Sequence, residues 1–176
     1  MMSKFGRFVL VGLALGAGPV MAQESSSVVE VKSDWSVFAE PDPKQCWAVT
    51  APSASVATRD GQPVDVRRGE VQMFVTFRPA DGVAGEVSFT GGYPFDKNAP
   101  LSVSVDGQDF ALTTAEGSEE WAWAATEADQ SAMLAAMKKG AEAVVTAQSA
   151  RGTQTKDTFS LRGFTAAMDE AAKRCQ

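Results

Sequence analysis

Apolar and polar residues alternate in short runs across residues 35–124, after which the spacing becomes helical. Trp35-Ser36-Val37-Phe38 opens the first run, and Pro41 and Pro43 end it. Residues 46–50 make a second run, stopped by Pro52. Residues 55–58 and 64–67 flank Asp60-Gly61, a turn signal. Residues 71–77 (VQMFVTF) are strongly β-prone up to Pro79, and Asp81-Gly82 leads into a run over residues 85–89. The clearest hairpin joins residues 101–105 to Phe110 and Leu112 through Asp106-Gly107, residue types suited to the two positive-φ positions of a type I′ turn. Trp121 and Trp123 then alternate with alanine on a further short strand.

Past Thr126, the spacing of Met133, Leu134 and Met137 predicts a helix over residues 128–139, capped by Thr126 or Asp129 and stopped by Gly140. Strands return at residues 143–146 and 155–161, linked through Arg151-Gly152. Residues 164–173 read as a short alanine-rich helix carrying Cys175 just past its end. No internal repeat is visible. About nine short strands with two short helices in the C-terminal third predict a mainly β protein, an antiparallel β-sandwich of jelly-roll-like type.

The N-terminus changes the picture from fold to address. Lys4 and Arg7 precede an apolar stretch of about 13 residues, and Val20-Met21-Ala22 supplies a cleavage site before Gln23. A spanning helix needs about 20 apolar residues, and this stretch is broken by Gly12, Gly16, Gly18 and Pro19. Residues 1–22 therefore read as a signal peptide cleaved after Ala22. Residues 23–32 read as a flexible lead-in and residues 33–176 as one domain, with no transmembrane segment in the mature form. The product is expected in the periplasm or secreted. Cleavage removes two basic residues and no acid, leaving 14 basic residues against 22 acidic ones, net −8. Such a charge argues against nucleic acid as a partner.

Cys46 and Cys175 stand near opposite ends of the mature chain. In an oxidising compartment an even pair reads as one disulfide, here worth roughly 4–5 kcal/mol on the chain-entropy account. It would fasten the last helix to the first strands. The spacing is not that of a C-x-x-C redox pair.

Candidate chemistry is sparse. The chain has no histidine, which removes the commonest general base and zinc ligand. No catalytic residue, cofactor site or metal site is assigned. Glu119 and Glu120, adjacent on a strand, would point to opposite faces and so could not flank one glycosidic bond. Trp121 and Trp123 share one face of their strand. They fill the core, the stronger reading for a chain with four tryptophans, or form a stacking platform for a sugar or protein partner. Tyr93 and Phe95, in the loop Gly91-Gly92-Tyr93-Pro94-Phe95, seal the end of the sandwich or present a recognition patch. Arg67-Arg68 and Lys138-Lys139 are short basic pairs, and Arg151-Gly152 is read as a turn.

Several stretches together resemble the invasion-associated locus B family of exported bacterial proteins. They are residues 34–38 (DWSVF), Cys46-Trp47, residues 85–89 (GEVSF) with residues 91–95 (GGYPF), residues 133–140 (MLAAMKKG) and residues 157–167 (DTFSLRGFTAA). Their succession covers nearly all of the mature chain. One departure is Phe38-Ala39, where many members carry a cysteine. The resemblance implies a small exported β-sandwich protein, named for a role in host-cell invasion, and brings no catalytic residue with it. The expected function is a non-enzymatic binding or envelope-interaction protein with an envelope or host protein as partner. The alternative is a carbohydrate-binding or glycan-processing protein using Trp121, Trp123 and the nearby acids.

Overall fold

The computed structural model describes residues 28–176. The expected signal peptide, its cleavage site and residues 23–27 of the lead-in lie outside the described residues. Twelve strands follow in chain order: β1 (Val28–Lys32), β2 (Trp35–Pro41), β3 (Lys44–Thr50), β4 (Ala54–Arg59), β5 (Gln62–Pro63), β6 (Gln72–Arg78), β7 (Val83–Thr90), β8 (Ser102–Val105), β9 (Gln108–Ala115), β10 (Ser118–Ala124), β11 (Glu142–Gln148) and β12 (Gln154–Ser160). Helix α1 (Glu127–Met137) lies between β10 and β11, and α2 (Phe164–Arg174) follows β12.

All neighbouring strands are antiparallel, in the order β1-β2-β3-β6-β7-β10-β9-β8-β11-β12-β4-β5. Strand β9 belongs to both layers. Its first half pairs with β8 through Phe110 and Val103, and its second half pairs with β10 through Thr113 and Trp123. The sheet thereby turns over on itself into the β-sandwich that the alternation predicts.

Period-two alternation sets the core. On one layer Val37, Ala48, Val75 and Val87 register side by side, all buried. On the other, Val103 registers with Val145, and Ala143 with Phe159. Phe89 and Phe159 meet edge to face across the gap, ring centroids 5.9 Å apart. Each fully buried valine or phenylalanine among them contributes roughly 1.5–3 kcal/mol relative to exposure.

Local signals hold where expected. Asp106 and Gly107 both take positive φ, 47° and 88°, as their hairpin turn requires. The Thr126 hydroxyl caps α1 by accepting the Asp129 N–H at 3.0 Å. Gln130 pins that helix to β7, donating from its amide to the Gly85 carbonyl at 2.7 Å. Helix α2 packs over β2 and β3, where Phe164 meets Trp35 edge to face at 5.0 Å. The disulfide joins Cys46 to Cys175, with Cα atoms 5.8 Å apart, and fastens this helix to β3.

Two expectations are corrected. Residues 28–32, read as part of a flexible lead-in, form β1. Val29 packs against the core and Glu30 pairs with Lys32 and with Arg174 of α2, interactions that a serine-rich preceding stretch conceals. Residues 64–67, read as a strand, are irregular. Strand pairing stops at Pro63, which registers with Thr58, and the chain then leaves the sheet edge.

Candidate functional site

Cys46 and Ala48 are buried, so strand alternation turns Trp47 to the opposite, outer face of its layer. The same parity brings four more rings there. Reading across the outer face, one row runs Val49, Phe74, Ser88, Trp123 and Thr113. The next runs Phe38, Trp47, Thr76 and Glu86. A third runs Gln72, Thr90 and Trp121. Phe38, Trp47, Phe74, Trp121 and Trp123 are all partly exposed. Both helices bury their apolar residues elsewhere, and α2 lies on the opposite side, tied through the inward-facing Cys46. Three of the chain's four tryptophans therefore stand on a face that no described element covers.

The favoured expectation that Trp121 and Trp123 fill the core is thus overturned. The residue between them, Ala122, is buried and registers with Phe89. Space on the inner side is already occupied by the Phe89, Phe95 and Phe159 rings, and alanine fits beneath them where indole does not.

The rings pack on one another. Phe38 and Trp47 stack with planes 2° apart and centroids at 5.3 Å. Trp121 stacks on Trp123 at 6.4 Å and 25°, and Phe74 tilts against Trp121 at 5.4 Å. Between the two groups lies a shallow groove of about 460 Å³, edged by Gln45, Thr76, Arg78 and Glu86. Arg78 is held in place by Glu86 at 3.2 Å and Asp81 at 3.4 Å. Sequence reasoning missed Phe38, Trp47 and Phe74 as surface residues. The signal was available in Cys46, whose inward bond fixes the outward direction of its neighbour.

Tyr93 and Phe95 part company. Phe95 is only 3 % exposed and stacks on Phe89 at 5.8 Å, so it seals the sandwich end and offers no surface patch. Tyr93 is half-buried, and its hydroxyl hydrogen-bonds the Thr155 hydroxyl. Behind it, Asp157 faces inward from β12 with no exposed surface. Arg68 meets that carboxylate at two points, Nη1 to Oδ2 at 2.8 Å and Nη2 to Oδ1, and Ser55 donates to it at 2.6 Å. Hydrogen bonding to Asp157 raises the Arg68 pKa further, and burial pushes the Tyr93 phenol up.

Glu119 and Glu120 point apart, as their adjacency implies. Glu119 pairs with Lys97 at 3.3 Å, while Glu120 edges a separate cleft beside Tyr93. Among the described residues no three His, Cys, Asp or Glu side chains cluster as metal ligands would.

A family model described as "Invasion associated locus B (IalB) protein" matches residues 35–172. No match was found among curated protein sequences. The crystal structure of invasion associated protein B from Bartonella henselae is similar, with a TM-score of 0.52 at 16% identity, covering 82% of this chain and 95% of that one. At that identity the likeness speaks to the fold.

Proposed function

The chain belongs to the invasion associated locus B family, and from its surface we propose that it is an exported, non-enzymatic binding protein that docks a protein partner on the aromatic outer face of the β1–β10 layer. One observation carries this reading: five partly exposed aromatic rings, three of them tryptophans, line one uncovered sheet face around a shallow groove. Tryptophan and arginine are among the residues that dominate protein–protein hot spots, and Arg78 stands at the groove's rim, paired with Asp81 and Glu86. A periplasmic or secreted location fits the disulfide, and no helix of the described residues is long and apolar enough to cross a membrane. The partner would be an envelope or host protein. The Bartonella henselae protein is named for invasion, which is in keeping with such a role.

Glycan binding is the second reading, favoured by the polar groups Gln45, Thr76 and Glu86 beside the rings. Stacking weighs against it. Phe38 and Trp47 each cover one face of the other, and Trp121 leans against Trp123 at 25°, which reduces the flat ring surface a pyranose would use. The test compares wild type with Trp121→Ala/Trp123→Ala in crosslinked pull-downs from envelope extracts, alongside tryptophan fluorescence titrated with cell-wall oligosaccharides. A protein captured by wild type and lost in the variant supports the proposal. Fluorescence quenching by oligosaccharide without a captured protein transfers the site to the glycan reading. Equal capture by both proteins overturns the assignment of the site.

A further inference from the structure

The described residues contain seven arginines, and four of them line one cleft of about 580 Å³ at the end of the sandwich. Arg59 comes from the end of β4, Arg67 and Arg68 from the segment before β6, and Arg151 from the turn between β11 and β12. No lysine and only one acid, Glu120, lines the same cleft. In a chain of net charge −6 this concentration of one sign is not what a solvated acidic surface produces.

The cleft is built. Arg68, neutralised by the buried Asp157, forms its floor with Tyr93, whose ring lies 6.0 Å from the guanidinium. Arg59 is steadied by donating to the Thr153 hydroxyl at 2.6 Å. The walls are stitched together where the Gly69 N–H donates to the Gly92 carbonyl at 2.9 Å. That approach requires glycine, because a Cβ on Gly92 would stand 2.6 Å from the Gly69 backbone, and Gly92 has φ +70°. Arg67 and Arg151 are exposed and form no ion pair among the described residues.

With Arg68 neutralised, Arg59, Arg67 and Arg151 face Glu120, an excess of two positive charges. We infer that this cleft binds a phosphate monoester, a dianion carried on a compact organic body. Guanidinium forks match phosphate oxygens in pairs, the excess charge matches the dianion present at neutral pH, and Tyr93 with Pro94 supplies a wall for the organic part. The volume suits a small molecule. The site is separate from the aromatic face and does not rest on that reading.

Isothermal titration of the mature protein with phenyl phosphate, inorganic phosphate and benzoate tests the inference. Phenyl phosphate should bind saturably, at least about tenfold tighter than benzoate, and weaken on raising salt from low to about 0.5 M. Arg67→Ala/Arg151→Ala should weaken it at least about tenfold, with circular dichroism unchanged because both residues are exposed. Glu120→Gln should tighten it by roughly threefold, since an opposing charge is gone. Inorganic phosphate binding as tightly as phenyl phosphate would remove the organic body from the assignment. Benzoate binding equally well would remove the dianion, and affinity unmoved by both variants would overturn the site. The Trp121→Ala/Trp123→Ala protein should bind phenyl phosphate like wild type, which keeps this result distinct from the test of the aromatic face.

Discussion

Arg68 enters the sandwich from an irregular segment and closes a two-point ion pair on Asp157, a carboxylate with no solvent exposure. Removing one partner leaves the other's charge uncompensated. Arg68→Ala should therefore lower stability by about 3–5 kcal/mol in urea unfolding, because it strands a carboxylate with no access to water, and Asp157→Ala by less, because the Arg68 left behind keeps some contact with water. An Arg68→Met/Asp157→Leu protein should recover most of the loss, since an apolar pair has no desolvation to overcome. Additive losses in the double variant would show that the pair does not act as a unit.

Tryptophans on the two faces should respond differently to truncation. Trp35 is fully buried, packed on Phe164, and donates from its indole to the Ser160 carbonyl at 3.0 Å. Trp35→Ala should cost about 3–5 kcal/mol. Trp123→Ala, on the outer face, should cost about 1 kcal/mol and leave the unfolding transition cooperative. Equal costs would place Trp123 in the core after all.

Tyr93 is the chain's single tyrosine, so ultraviolet titration of the phenol reports it alone. Burial should hold its midpoint above the ordinary value of about 10, and unfolding in guanidinium should return it there. The Thr155 hydroxyl opposes that rise, so Thr155→Val should move the midpoint higher still. A raised folded pKa makes a contribution that is complete below the unfolded pKa and lost as pH rises through the folded value. Alkaline unfolding that sets in below pH 10, before Tyr93 titrates, would assign the loss to another group.

The disulfide has a thermodynamic test. Cys46→Ala/Cys175→Ala should lose roughly 4 kcal/mol, less if the unfolded chain keeps structure. Proteolysis should then cut first within α2, whose hold on β2 and β3 would rest on packing alone. Linked Cys46 and Cys175 peptides in the non-reduced wild type provide the covalent check.

Sequence legibility followed the range of the interaction. Asp106-Gly107 and Thr126 act within a few residues of themselves, and their turn and cap were readable from neighbours alone. Alternation also gave the paired faces of β10. It did not say which face is inner, because that depends on rings contributed by β7, β12 and the loop holding Phe95. Asp157 was hidden for a related reason. It shares parity with Thr155 and Phe159, a hint of inward direction, but its partner Arg68 lies 89 residues earlier, just past a run read as strand. The arginine cleft brings together three chain segments and has no local signature.

Cys175 comes after every strand in chain order, and so does the helix that covers Trp35. Strands β1 to β3 are made first but stay without a lid until all the others have emerged. During synthesis or passage through a membrane, the early strands would therefore wait with an apolar side open to chaperones or to a second chain. The contact closes over a sequence separation of 129 residues, the kind of long-range pairing that tends to form slowly. The bond can close only after residue 175 has been made, so it joins the last-made segment to one of the first.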